Sequence, residues 1–261
     1  MTIVGDKGIF AIEWNTFITD YNNHIRDYGV TFGVIHAELS YIANNQLIDR
    51  NSTMLGQSFN HVKKHVENYE IYHNFAVDFS GISKEDVYNM LFRCMYNDNV
   101  SEYCSDSDNT DCFICPEQYR EFYAHCKQQM VKDYYTNRIP WISKNEMNES
   151  ILRGEDYSED SILGNWIHGT FYVADLAGDA LLNSHIYLVR DIAMNQERLI
   201  WKRFAKYDKE RNMYHEFPVC EAIIPVGYFK SVQEEFASIA LKEMEMAKTG
   251  IHPFVIIQDR L

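Results

Sequence analysis

The feature that most constrains this chain is the run Ile35-His-Ala-Glu-Leu-Ser-Tyr-Ile42 with Asn44-Asn45 close behind it. Ile35, Ala37, Leu39 and Tyr41 alternate with His36, Glu38 and Ser40. A period of two is that of a strand with one face buried and the other wet. The alternation predicts a strand from about Val30 to Ile42. Asparagine tolerates the left-handed backbone that a tight hairpin demands, so Asn44-Asn45 predicts a reversal toward Leu47-Ile48. The chain must therefore build an antiparallel sheet, and this strand would project His36 and Glu38 outward.

Further strands are expected at Ile9–Trp14, after a Gly-Asp-Lys-Gly turn, and at Tyr72–Phe79. The last third alternates again. His185–Arg190 and Arg198–Phe204 read as an antiparallel pair, Glu216–Ile224 as a strand interrupted at Pro218, and His252–Ile257 as a short final strand. Phe10, Ile12 and Trp201 are expected to be buried in these sheets. Ser52 or Thr53 is expected to cap a helix to about Tyr69, with Leu55, Phe59, Val62 and Val66 at helical spacing. Ser83, followed by Glu85-Asp86, starts a helix carrying Val87, Met90, Leu91 and Met95. Pro116 fits the first turn of a helix to about Tyr135, and Ile162 to Val173 reads as helical. Pro225-Val-Gly227 turns into an amphipathic helix over about Ser231–Lys248. With no internal repeat and no linker, residues 1–261 read as a single α+β domain. It is expected to be mostly antiparallel sheet with flanking helices, and to carry a helical, acidic insertion at about 80–160. The 261 residues, 46% of them hydrophobic, suffice to bury its core.

The stretch that looks most like chemistry is Cys104 to Cys115, CSDSDNTDCFIC, with Cys126 beyond it. Cys112-x-x-Cys115 has the spacing of half a zinc site, which Cys104 and Cys126 could complete. A second such pair and a glycine in the turn are missing, and Pro116 follows at once. Counted from Asp106, Asp108, Thr110 and Glu117 fall on ligand positions of a helix-loop-helix calcium loop. Its glycine position, however, holds Asp111. The sharpest enzymatic alternative joins His36-Ala-Glu38 to Cys112 and Cys115 as a zinc-dependent nucleobase deaminase. There the His-x-Glu should open a helix and a proline should precede the first cysteine; here Asp111 precedes it. His61 and His65, one turn apart, read as a solvated face beside Lys63 and Lys64. No Gly-x-Ser-x-Gly, phosphate-binding glycine loop or His-Glu-x-x-His is present. The expectation is no catalytic residue, no metal and no cofactor.

Charge remains. The net charge is -14, against a nucleic-acid binder, which needs a basic stripe. Residues 97–160 hold 14 acids and 6 bases and so carry most of the excess. Asp106, Asp108 and Asp111 form one cluster there, and Glu155, Asp156, Glu159 and Asp160 a second. Two acidic clusters in one segment suit a docking surface for a basic partner. No apolar run approaches the roughly 18–20 residues that span a bilayer, and no signal peptide is read at the start, so a cytoplasmic protein is expected. Six cysteines are then free thiols.

Both ends of the chain resemble the immunity protein 42 family of bacterial polymorphic-toxin systems. IVGDKGIFAIEW resembles that family's Gly-Asp-x-x-x-Phe-Ala-Ile opening, followed by the strand FGVIHAELSYIANNQLID and the helix STMLGQSFNHVKKHV. Near the end, HIYLVRDIAMNQERLIWKR and AIIPVGYFKSVQEEF are similar to its pair of strands, its Glu-Arg-Leu-Ile-Trp and its Pro-x-Gly-x-Phe-x-x-Val. The resemblance implies a non-catalytic protein that binds and neutralises a cognate toxin. Many such toxins are basic nucleases, whose active sites an acidic inhibitor can occupy in place of phosphate. No binding residue of the family carries across to this chain.

Overall fold

The computed structural model describes residues 1–20, 24–69, 76–77, 81–96, 124, 128, 170–173, 183–191, 194–208, 211–249 and 253–258. The chain divides into two compact units. One comprises 1–67, 173–186 and 196–261, the other 68–172 and 187–195. The expected insertion at about 80–160 falls in the second unit, and most of it lies outside the described residues. In chain order the elements are β1 (Thr2–Asp6), β2 (Phe10–Asp20), α1 (His24–Tyr28), β3 (Ile35–Ala43), β4 (Gln46–Met54) and α2 (Leu55–Glu67). There follow β5 (Ala76–Val77), α3 (Lys84–Tyr96), β6 (Ser184–Asp191), β7 (Gln196–Arg203), β8 (Lys206–Asp208), β9 (Met213–His215), β10 (Val219–Pro225), α4 (Tyr228–Lys248) and β11 (Val255–Gln258). Antiparallel sheets flanked by helices make this an α+β fold, as the alternation requires.

In the first unit, β1, β2, β3 and β4 pair antiparallel in that order, while β11 joins β2 in parallel beside Phe17–Asp20. The hairpin forms where expected, with Asn44 and Asn45 at φ 50° and 59°. β2 runs six residues past the expected Trp14, because β3 and β11 supply ladder partners as far as Asp20. Two expectations are corrected. Ser52 and Thr53 cap nothing: they lie in β4 opposite Glu38 and Ala37, and the helix begins at Leu55. Ladder bonds offered by β3 outweigh the local capping preference of these residues. The buried side of α2 is Leu55, Ser58, Val62 and His65, not Leu55, Phe59, Val62 and Val66. His65 goes under because Gln233 of α4 meets it, Nδ1 to Oε1, at 2.7 Å.

The short motifs at the two ends prove to be one construction. Gly5 has φ +80°, and a Cβ there would lie 2.4 Å from the Phe10 carbonyl oxygen and 2.9 Å from Val232, so only glycine fits. Asp6 accepts the Gly8 N–H at 2.7 Å and closes the turn, while its own N–H donates to Tyr228 Oη at 2.8 Å. Gly227, at φ 79°, caps α4. Its N–H donates to Oε1 of buried Glu197 at 3.3 Å, which supplies an acceptor at the helix start. Trp201, only 2% exposed, sits in β7 opposite Cys220 of β10, a strand that starts directly after Pro218.

In the second unit the expected cap is present. Asp86 N–H donates to Ser83 Oγ at 3.1 Å, and that hydroxyl donates to Asp86 Oδ2 at 2.6 Å. Val87, Met90 and Leu91 of α3 are fully buried, and Tyr88 meets Tyr187 edge-on at 5.6 Å. The strand expected over Tyr72–Phe79 is described only at Ala76–Val77, paired in parallel with Arg190 and Asp191 of β6.

Candidate functional site

Alternation gives the five-stranded sheet two unlike faces. Even-numbered residues of β2 face α4: Phe10 packs on Phe229 at 4.6 Å between ring centroids, and Trp14 meets Phe236 edge-on at 5.0 Å. Glu243 of α4 reaches down to accept Trp14 Nε1–H at 2.9 Å, the Thr2 hydroxyl at 3.0 Å and the Thr16 hydroxyl. The odd-numbered residues point the other way. Register arranges them in rows: Glu13 beside Ser40 and Arg50, then Asn15 beside Glu38 and Ser52, then Phe17 beside His36 and Met54. β11 extends the last row by placing Val255 next to Phe17.

This second face is open. Glu13 pairs with Lys7. Arg50 Nε donates to Ser40 Oγ at 3.0 Å and stands 3.7 Å from Glu38, a pair half-exposed on both sides. Such a pair contributes little to stability and is easily rearranged by a ligand. Between Glu13, Asn15, Glu38, Ser40 and Arg50 lies an open pocket of about 340 Å³. One row on, His36 stacks against Phe17 at 5.7 Å, and burial lowers its pKa, which keeps the ring neutral near pH 7. Half-buried aromatics beside exposed Met54 form the apolar part of the face. Ser40 is engaged by Arg50, and His36 stands two rows away.

The structure brings together some of the residues singled out in the sequence and not others. His36 and Glu38 lie on β3, outward as expected, and do not open the helix that a deaminase site needs. Cys104, Cys112, Cys115 and Cys126 lie outside the described residues. So do Asp106, Asp108, Asp111, Glu155, Asp156, Glu159 and Asp160. His61 is exposed, but His65 is not part of a solvated face. Desolvation takes its pKa down to about 4, against the opposing hydrogen bond that its Nδ1 makes to Gln233 Oε1. Among the described residues no group of three or more His, Cys, Asp and Glu is placed to hold a metal ion, and no helix is long and apolar enough to cross a membrane. The sequence reading missed Phe17, Arg50, Met54 and Val255. It ended β2 too early, and the row of Phe17, Met54 and Val255, like the place of Arg50 two rows away, exists only through register.

Comparison with known proteins gives one family. The family model described as Immunity protein 42 matches residues 1–239. No curated protein matches the chain. A solved structure, CdiI from Burkholderia dolosa AUO158, is similar at 15% identity and a TM-score of 0.44, over 91% of this chain and 99% of that one.

Proposed function

The chain belongs to the immunity protein 42 family and is a toxin-neutralising immunity protein; from this premise we propose that it acts in the cytoplasm by binding one toxin domain stoichiometrically, without catalysis or cofactor. The match over residues 1–239 carries this reading. The toxin is a basic domain, and the chain contacts neither nucleic acid nor membrane in doing its work. Supporting this is the charge of -14, which repels phosphate and attracts a basic protein surface. A nuclease is the toxin class that fits best, because carboxylates can stand where the phosphates of its substrate would. The contact runs through Asp106, Asp108 and Asp111 and through Glu155, Asp156, Glu159 and Asp160, the two clusters in the segment that holds most of the excess charge.

The test is a pair of charge-neutralised proteins, Asp106, Asp108 and Asp111 to Asn in one and Glu155, Asp156, Glu159 and Asp160 to the matching amides in the other. Each should associate more slowly with the toxin domain and with a shallower salt dependence, because charges near an interface mainly steer encounter. If both retain the original affinity and salt slope, the clusters serve solubility and the contact lies elsewhere.

A further inference from the structure

We infer that the free edge of β11, with the apolar row Val255, Phe17, His36 and Met54 beside it, is where an extended segment of the toxin docks as an added strand. The inference rests on the toxin-neutralising function and locates a part of the contact surface that the acidic clusters do not supply. β11 pairs with β2 along one side, and among the described residues nothing pairs with its other side. Val255, Ile256 and Ile257 are 67%, 50% and 46% exposed, three successive aliphatic residues on a sheet edge. Natural edges of this kind are usually blunted by lysine, by a bulge or by a covering loop, since they invite another strand. From Pro253 to Ile257 there is no charged residue at all.

The register says what such a strand would meet. Val255 lies beside Phe17 and Ile257 beside Thr19, so both side chains stand on the open face, while Ile256 points to the helix side. An added strand would draw main-chain hydrogen bonds from the β11 edge, and its alternate side chains would cover Val255 and Ile257 and reach the Phe17–His36–Met54 row. One row further, about 7 Å along the strands, stands half-exposed Glu38 at the rim of the pocket. A lysine or arginine on the incoming segment can displace Arg50 as its partner.

The other occupant to consider is a second copy of this chain. Two copies would each bring a charge of -14 to the contact. A four-residue edge paired with itself also falls well short of the roughly 1,000 Å² that a stable interface buries. Charge complementarity therefore selects a basic partner, and neutralisation already requires a protein one.

The experiment uses the full chain and an inactivated form of its cognate toxin domain. Val255→Lys with Ile257→Lys should weaken binding at least about 100-fold, the scale of a lost interface centre, with an unchanged melting midpoint. Glu38→Lys should cost about tenfold and flatten the salt dependence, and Met213→Lys, on exposed β9, should change nothing. Amide exchange at 255–258 in the unaltered protein should slow when the toxin is bound. Unaltered chain that binds while the double-lysine protein stays within twofold of it overturns the edge inference and leaves the function standing. Absence of new amide protection at 255–258 overturns it too, independently of how the variants fold. A dimer that the double-lysine protein loses while keeping its toxin affinity would assign the edge to self-association instead. If the unaltered chain does not bind this toxin domain, the reading of its function falls and the edge inference with it.

Discussion

The two faces of the five-stranded sheet are made by the same strands, yet they do opposite things. On the covered face Phe10, Ile12, Trp14 and Ile18 are at most 1% exposed, packed under α4, and even its carboxylate, Glu243, is spent on three donors. On the open face Glu38 and Arg50 are half in water, Phe17 and His36 are half-buried, and Met54 is exposed. One residue step along β2 separates a position that holds the fold from one that the fold does not need. Stability and the chemistry of the open face can thus be altered separately in one sheet, because its side chains alternate.

The contrast breaks most sharply at Trp14. Trp14→Ala removes a buried aromatic and one of the three donors to Glu243, and is expected to cost about 3–5 kcal/mol by chemical denaturation. A loss below 1 kcal/mol would mean that the covered face is not the core. Acid should act on the covered face next. His65 titrates at about 4 when folded against 6.5 when free, so the unfolded chain takes up the proton first. Its contribution is whole above pH 6.5 and drains away as pH falls to about 4, on the order of 3 kcal/mol. His185, also lowered to about 4 by burial and then by Lys202, acts with the same sign. Denaturation midpoints measured across this range should fall toward acid, and less steeply in His65→Asn; parallel curves would remove His65 as the cause.

Glu243→Gln keeps the shape of the carboxylate but removes its charge and turns one acceptor oxygen into an amide donor. The Thr2 hydroxyl must then accept, and Trp14 and Thr16 keep a neutral acceptor in place of a charged one. About 1–3 kcal/mol should be lost, and the midpoint should not shift if the three contacts are idle. The smallest effect belongs to the open face. Arg50→Ala should change stability by no more than about 0.5 kcal/mol, measured in the same denaturation series. A loss as large as that from Glu243→Gln would erase the distinction between the faces.

Much of this was legible in the chain. Asn44-Asn45 and the alternation at 35–42 name a hairpin and its wet side, and Ser83 with Asp86 names a helix start, because each depends on neighbours in sequence. The start of α2 was not legible. Ser52 and Thr53 carry the local chemistry of a cap, and only a β3 ladder reaching His36 holds them as strand. His65 beside two lysines looks solvated until Gln233, 168 positions away, turns up beneath it. Of the candidate surface, His36 and Glu38 could be read from alternation; Arg50 and Val255 could not, since nothing local says which strands lie beside theirs.

By itself, then, the sequence determined the antiparallel character of the sheets, their turns, the helix starts set by local hydrogen bonds, the acidity and the family. Tertiary structure alone decided the row that joins Val255, Phe17, His36 and Met54, and the burial of His65. It also decided the role of Glu243, a carboxylate on a helix side that closes over β1 and β2. The reason is range. Side-chain alternation and capping are settled within a few residues, whereas register and helix rotation are set by packing between segments up to 241 positions apart, as between Thr2 and Glu243.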